Sequence, residues 1–304
     1  MENLVFHYCS IETFFAIVTN KTLRLSDVVK SNDDLEVMWM KKVILEMIEN
    51  ENMLYEYFDE RIRKIVSLDG YKAKLQEKIE RFFERKEVKS KFFAICFSGL
   101  ESEDRLSQWR GYGDDGKGVA IGFSRDILDK TKKKFILNAD KSKVEFRKVE
   151  YKIENQKKII RQFWNEQIAI ANKTLNNIEV DFELWIIESF YKLYGQAIFM
   201  KSPFFEEENE SRIVYEIETE HKNDCEEKEN ELYNRMKIKD GEVVIRNGNI
   251  VEYYDIDISK LLDGFIKKII LGPKCKVEIE DIKMLLERNG FKNVGVVWSG
   301  GSYK

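Results

Sequence analysis

Two nearly continuous apolar runs constrain the fold of this chain more than any other feature. Phe92–Ser98 reads Phe-Phe-Ala-Ile-Cys-Phe-Ser, and Val119–Phe123 reads Val-Ala-Ile-Gly-Phe. Both runs are rich in residues that favour strands, and neither alternates between apolar and polar positions. Such runs are typical of central strands buried on both faces. The sequence therefore predicts a sheet that other elements cover on both sides.

Long helical segments interrupt these strands. Apolar residues recur at helical spacing from about 34 to 89 and again from about 154 to 200. We expect the first region to be a helical insertion and the second a long helical hairpin packed on the sheet. No linker rich in proline, glycine or serine separates them. The predicted fold is a single α+β domain over residues 1–304, with a mixed or antiparallel central sheet.

Charge and composition limit the classes of function. The net charge of −4 gives no overall attraction to nucleic acid. Clusters of lysine at 130–134 and 141–148 are compatible with a local basic groove of the kind that binds nucleic acid. The chain contains no run of about 18 apolar residues, the length that a membrane span needs. We expect no membrane partner.

The cysteines and histidines predict neither disulfides nor a metal site. The four cysteines, at positions 9, 96, 225 and 275, show no Cys-x-x-Cys spacing. They indicate reduced thiols in a cytoplasmic protein, because disulfides are rare in that compartment. With only two histidines in the chain, a structural zinc site is not expected.

An acidic turn at Glu206–Glu210 leads into an apolar segment. If the chain is extended from Glu208 to Ile217, the period of two puts Glu208, Glu210 and Arg212 on one face. One interpretation is a solvated acidic loop before an edge strand. The other is a functional site, because two carboxylates and a guanidinium on a strand are costly unless they are paired or used.

Two other places could carry chemistry. His7 ends the apolar strand Leu4–Tyr8 and is either a structural histidine or a catalytic one. Trp109 and Arg110 precede a glycine-rich loop, where a ring and a guanidinium could bind a planar, phosphate-bearing ligand. Alternatively, Trp109 anchors that loop to the core and Arg110 pairs with an acidic neighbour such as Asp104 or Asp114.

Glu208 and Glu210 have two chemical uses. One carboxylate could stabilise a developing oxocarbenium sugar while the other orients the acceptor. Alternatively, both could join Asp33 or Asp34 to hold a divalent metal for phosphodiester cleavage. The sequence nominates no further oxygen ligand at a fixed distance, so the nuclease hypothesis is the weaker one.

Several blocks in order resemble an uncharacterised bacterial family, numbered 2971 among the domains of unknown function. These blocks are Phe6–Phe14, Leu23–Asp27, Ser31–Glu36, Phe93–Ser98, Leu106–Phe123, Phe205–Val214 and Ile269–Pro273. Ser211 stands where that family usually has tryptophan. The family implies no activity.

The order of elements is also similar to that of ADP-ribosyltransferases that modify DNA bases. That resemblance implies that His7 holds the nicotinamide ribose region, and that Tyr112 or Trp109 stacks on nicotinamide. Arg24 or Arg110 would contact phosphate. Cys9 occupies the place where such enzymes have threonine or serine after the histidine.

The same resemblance implies Glu210 as the catalytic carboxylate, with Glu208 orienting or deprotonating the acceptor. Arg212 would keep both carboxylates ionised or bind the diphosphate. The predicted function is therefore an NAD-consuming ADP-ribosyltransferase with a nucleic-acid or protein acceptor, in a bacterial toxin or phage-defence setting. The alternatives are a metal-dependent nucleic-acid enzyme and a non-enzymatic sensor or binding module that recognises a nucleotide or another partner.

Overall fold

The structure is a computed structural model. It describes residues 3–28, 34–85, 90–100, 103–130, 135–136, 143–175, 178–218, 236–246 and 248–301. Of the predicted metal ligands, Asp33 lies outside these residues. Positions 131–134 and 141–142 of the two lysine clusters also lie outside them.

Twelve strands occur in the described part of the chain, and all belong to one sheet. They are β1 (Leu4–Cys9), β2 (Thr22–Asp27), β3 (Ser90–Gly99), β4 (Val119–Ser124), β5 (Phe135–Ile136), β6 (Lys143–Lys148), β7 (Glu210–Glu218), β8 (Lys237–Ile238), β9 (Glu242–Arg246), β10 (Asn249–Asp257), β11 (Ile266–Leu271) and β12 (Gly295–Trp298).

The described part of the chain also forms nine α-helices. They are α1 (Ile11–Asn20), α2 (Asp34–Glu51), α3 (Glu60–Ile65), α4 (Leu68–Arg85), α5 (Leu106–Gly111), α6 (Arg125–Asp129), α7 (Ile153–Thr174), α8 (Ile178–Ala197) and α9 (Ile279–Arg288). Short 3₁₀ helices occur at Asn52–Tyr57, Asp114–Gly116, Pro203–Glu208 and Ser259–Leu261.

The sheet is mixed and mostly antiparallel, as the sequence predicted. Its main path runs β12-β11-β4-β1-β3-β2-β10-β8, and a branch runs from β3 through β7 and β6 to β5. The pair β11–β12 is parallel, whereas β1–β4, β2–β10 and β6–β7 are antiparallel. The two apolar runs, Phe92–Ser98 and Val119–Phe123, lie in β3 and β4. The α+β fold class is confirmed.

Two compact units make up the chain. The sheet unit consists of residues 1–30, 92–148 and 207–304, and the helical unit consists of residues 31–91 and 149–206. The predicted insertion (34–89) and the predicted hairpin (154–200) both lie in the helical unit, as α2–α4 and α7–α8. Packing of the hairpin on the sheet and folding as a single domain stay predictions.

The main core of the sheet unit lies on one side of the sheet, called here the core side. It contains Val5 and Cys9 of β1, Phe97 of β3 and Ile213 and Tyr215 of β7. Because side chains alternate along a strand, the neighbours of these residues face the opposite side. There, Leu4, Phe6 and Tyr8 pack with Trp109 in a second, smaller cluster.

The helical unit has an aromatic core. Trp164 on α7 donates its indole N–H to the Tyr71 hydroxyl at 2.7 Å, and Tyr71 donates to the Met53 carbonyl at 3.1 Å. Phe182 and Trp185 on α8 stack with their ring centroids 5.4 Å apart. Each buried polar atom of Trp164 and Tyr71 therefore has a hydrogen-bond partner, as burial requires.

Gly118, in the glycine-rich segment, and Gly272 pack closely against neighbouring backbone. A Cβ atom on Gly118 would lie 2.0 Å from the Cys9 carbonyl oxygen, and one on Gly272 would lie 2.3 Å from the Gly116 carbonyl oxygen. Gly272 N–H donates to the Gly118 carbonyl at 2.9 Å. These glycines are explained by close backbone packing. Their presence therefore does not indicate a phosphate-binding loop.

Candidate functional site

Glu210 and Arg212 form a buried ion pair at the start of β7. Arg212 Nε lies 2.7 Å from Glu210 Oε1, and Arg212 Nη2 lies 3.0 Å from Oε2. Glu210 is 5% exposed and Arg212 is 1% exposed. Ile213 and Tyr215 of the same strand face the core side. Glu210 and Arg212 occupy the positions of opposite parity, so their side chains face away from it. A bidentate ion pair of this kind fixes the orientation of the guanidinium group relative to the carboxylate.

The sequence prediction that Glu208 shares this strand face is wrong. β7 begins at Glu210, and Glu208 ends the 3₁₀ helix Pro203–Glu208. Between them, Asn209 has a φ of 45°, and its carbonyl accepts the Gly99 N–H at 2.8 Å. The left-handed residue interrupts the alternation, because a strand needs an extended backbone at every position.

Glu208 instead contacts Tyr112. The Tyr112 hydroxyl donates to Glu208 Oε1 at 3.0 Å. Tyr112 is 53% exposed and Glu208 is half-buried. The contact therefore combines an accessible ring with an accessible carboxylate, two residues before the Glu210–Arg212 pair. We call Tyr112, Glu208, Glu210 and Arg212 the acidic-turn site.

The other aromatic candidate, Trp109, lies in the core. Its indole N–H donates to Asp104 Oδ1 at 2.8 Å, and its ring meets Tyr8 edge-on at a centroid distance of 4.8 Å. Trp109 is buried, which agrees with the interpretation that it anchors the loop. Arg110, the next residue on α5, is exposed. Of the two rings, only that of Tyr112 is accessible to a ligand in this structure.

Asp104 connects three parts of the sheet unit. Besides the Trp109 indole, it accepts the Ser299 hydroxyl and the Gly300 N–H, the latter at 2.7 Å. Its own N–H donates to the Tyr8 hydroxyl at 2.9 Å. Burial raises the pKa of Tyr8 well above its usual range, so this hydroxyl stays protonated. The cluster is structural.

His7 lies on the other side of the sheet from the acidic-turn site. It shares the strand parity of Val5 and Cys9, and its ring meets Phe97 edge-on at a centroid distance of 6.1 Å. Its Nδ1–H donates to the Cys96 carbonyl at 2.9 Å. Burial lowers the pKa of His7, because the charged imidazolium loses hydration. The sheet therefore separates the His7 ring from Glu210.

Arg24 lies on the same side of the sheet as Arg212, on another strand. Its guanidinium stacks over the Tyr253 ring at 3.7 Å and lies 3.5 Å from Asp255. Both partners lie on β10, which pairs with β2. Arg24 is half exposed, so an incoming anion could reach it. The structure does not bring it into contact with the four residues of the acidic-turn site.

Sequence reasoning missed Arg147. This residue lies on β6 directly opposite Arg212 on β7, and its Nε is 3.8 Å from Glu145. Burial lowers the pKa of Arg147, although the guanidinium stays charged at neutral pH. The pairing of β6 with β7 joins segments separated by α7 and α8. No local pattern in the sequence indicates that pairing.

Position 211 faces the core side of the sheet. Ser211 is buried and alternates with Glu210 and Arg212 on β7. A side chain at this position therefore extends away from the acidic-turn site.

The described residues contain no group of three or more histidine, cysteine, aspartate or glutamate side chains placed to hold a metal ion. These residues therefore supply no set of ligands that would support the metal-dependent nuclease hypothesis. Across the same residues, no helix is both long enough and apolar enough to span a bilayer.

The fold and site define a mostly antiparallel α+β protein with a buried Glu–Arg pair beside an exposed Tyr–Glu contact. The family model described as "Protein of unknown function (DUF2971)" matches residues 108–213. The matched part is similar to that family and includes all four residues of the acidic-turn site, whereas His7 and Arg24 lie outside it. No curated protein and no solved structure matches the chain.

Proposed function

We propose that this protein consumes NAD at the acidic-turn site and transfers ADP-ribose to a nucleic-acid or protein acceptor. The observation that carries the proposal is the 3.0 Å hydrogen bond from the exposed Tyr112 to Glu208. It supports the proposal because this contact places two useful groups together. The Tyr112 ring can stack on nicotinamide, and the Glu208 carboxylate can stabilise a positively charged ribose. Cleavage of the nicotinamide–ribose bond develops positive charge on the ribose, which a nearby carboxylate stabilises.

The two carboxylates have different roles in this proposal. Glu208 is half-buried and can meet a ligand directly. Glu210 is 5% exposed and bonds Arg212 through both oxygens, so a ligand must reach a buried, paired carboxylate to use it. Either Glu210, as predicted from the sequence, or Glu208 is then the catalytic carboxylate, and the experiment compares the two. His7 has no part in this version of the site, because the sheet separates it from Glu210.

The test is release of nicotinamide from NAD by the purified chain, with DNA or protein offered as acceptor. We expect Glu208→Gln or Glu210→Gln to lower turnover by about 100-fold, the usual effect of removing one electrostatic stabiliser. Tyr112→Phe keeps the ring that stacks on the ligand and loses only the hydroxyl bond to Glu208, so it should change the Michaelis constant little. Glu206→Gln, an exposed acidic residue in the same turn, is the matched control and should leave turnover unchanged.

Two results would overturn the transferase proposal. The first is the absence of nicotinamide release with either class of acceptor. The second is full turnover by both carboxylate variants while circular dichroism shows that they are folded.

One observation favours a second function, a binding module without turnover. Glu210 is 5% exposed and paired with Arg212 through both oxygens, as in a structural ion pair. In that case the exposed Tyr112 and Glu208 would recognise a nucleotide or another partner. Calorimetry would then detect NAD binding that Tyr112→Ala weakens, with no nicotinamide released. The bacterial defence setting and the cytoplasmic location stay predictions under both functions.

A further inference from the structure

Strand β9 forms an outer edge of the sheet. It pairs with β10 from Glu242↔Tyr253 to Arg246↔Asn249. Tyr253 of β10 pairs on its other side with Ser26 of β2, so β9 lies on the outward edge of β10. Within the described part of the chain, no other strand pairs with β9. The outward peptide groups of an edge strand are a template for another strand.

This edge lacks several of the features that usually protect an edge strand. The strand reads Glu-Val-Val-Ile-Arg, without proline or lysine, and its register with β10 is continuous, without a bulge. Val243 is 68% exposed and Ile245 is 76% exposed. Natural edge strands are commonly protected by lysine, proline, bulges or short length, so apolar side chains at this exposure need a reason.

The apolar surface extends across the hairpin. Val243 and Ile245 lie on the same face of β9, because they are two positions apart. Ile250 of β10 pairs with Ile245 and is 65% exposed. The three aliphatic side chains therefore form one patch that reaches the free edge of the sheet.

The sequence of β9 is complementary to itself in the antiparallel direction. When two copies meet with Val244 opposite Val244, Val243 of each lies opposite Ile245 of the other. The same register sets Glu242, the acidic residue at one end, against Arg246, the basic residue at the other end. Opposite charges and aliphatic pairs across antiparallel strands are stabilising. A parallel pairing would oppose Glu242 to Glu242, and a slip by one residue would oppose Val243 to Arg246.

We propose that β9 is the docking surface for a second copy of this chain. The two copies pair β9 to β9 around a twofold axis at Val244, and their sheets become continuous. Each row across the junction then contains Ile250, Ile245 and the Val243 of the second copy. The proposal is independent of the acidic-turn site and of its chemistry. A twofold contact of this kind closes on itself and stops at the dimer.

The first experiment measures mass by analytical ultracentrifugation of the full chain from about 1 to 100 µM, a range that covers weak association. We expect a concentration-dependent dimer. Ile245→Lys should raise its dissociation constant at least about tenfold, because it introduces the charge that natural edges use. Met284→Lys, an exposed residue on α9, is the matched control and should leave the constant unchanged.

The second experiment tests the register by oxidative cross-linking. Val244→Cys should form a covalent dimer, because the two copies of residue 244 meet at the axis within disulfide range. Val243→Cys alone should not exceed the wild-type background, whereas a mixture of Val243→Cys and Ile245→Cys should cross-link. A monomer throughout the concentration range, a dimer unaffected by Ile245→Lys, or equal cross-linking by Val243→Cys and Val244→Cys would overturn the proposal.

Discussion

Arg212 holds both oxygens of Glu210 from two positions further along the same strand, in a buried place on the side of the sheet away from the main core. A pair so close in sequence is set by one strand, so the local β-structure alone brings the two groups together. Separating the charges is costly, because either group alone would stay buried without its counterion.

Arg212→Met should therefore destabilise the protein by about 3–5 kcal/mol, since Glu210 would lose its counterion in a buried place. The double variant Glu210→Leu/Arg212→Met should recover most of that loss, because it buries no charge. Urea unfolding at neutral pH measures both. A single variant as stable as the wild type would show that Glu210 is solvated.

Asp104→Ala should lower the free energy of unfolding by about 2–3 kcal/mol, because charged hydrogen bonds to Trp109, Ser299 and Gly300 disappear. Asp104 also has a φ of 58°, which asparagine tolerates better than alanine. Asp104→Asn should therefore lower the free energy of unfolding by less than Asp104→Ala does. Asp126→Ala, an exposed aspartate, should lose less than about 0.5 kcal/mol. Denaturation followed by tryptophan fluorescence separates the three, and equal losses would contradict the role of Asp104.

Gly118→Ala should destabilise the protein by about 1–3 kcal/mol or more, because its Cβ would overlap the Cys9 carbonyl at 2.0 Å. Gly111→Ala is the natural comparison, since no atom lies within 4 Å of its added Cβ. That change should be neutral or slightly stabilising. Thermal unfolding of the two variants measures the difference, and similar midpoints would show that the β1 backbone yields easily.

His7 should make stability depend on pH below its unfolded pKa of 6.5. Burial lowers the pKa of His7 in the folded state, so the unfolded chain binds the proton more readily. Its contribution to stability is complete above pH 6.5 and is lost as the pH falls from 6.5 through the folded pKa. His7→Gln should give a shallower decline between pH 7 and pH 5 in urea unfolding. An identical slope in both proteins would mean that His7 titrates normally.

The sequence predicted the elements whose signal is local. The central strands β3 and β4 followed from continuous apolar runs, and the helices of residues 34–85 and 153–197 followed from helical spacing. The start of β7 was misplaced because one left-handed residue, Asn209, ends the alternation. A single dihedral angle of this kind has no periodic signature, since asparagine is common in turns and loops generally.

The acidic-turn site was predicted only in part, for a different reason. Glu210 and Arg212 share a face through strand parity, which the sequence carries. Trp109 and Tyr112 are three residues apart around a short helix, and only tertiary packing decides which of them is buried. His7 stands between Phe6 and Tyr8 in a strand whose positions are all apolar or aromatic apart from His7 itself. No alternation in β1 therefore indicates which side of the sheet the His7 ring faces.

Several strands that pair in the sheet are far apart in the sequence, so they leave the ribosome at different times. β1 has its neighbours in β3 and β4, roughly ninety or more residues later, whereas β2 pairs with β10 and β4 with β11. The N-terminal strands therefore leave the exit tunnel long before their partners exist. Chains released early would carry β2 and β4 with open, apolar edges, the form most prone to aggregate. Residues 249–271, which include β10 and β11, thus complete the pairing of β2 and β4.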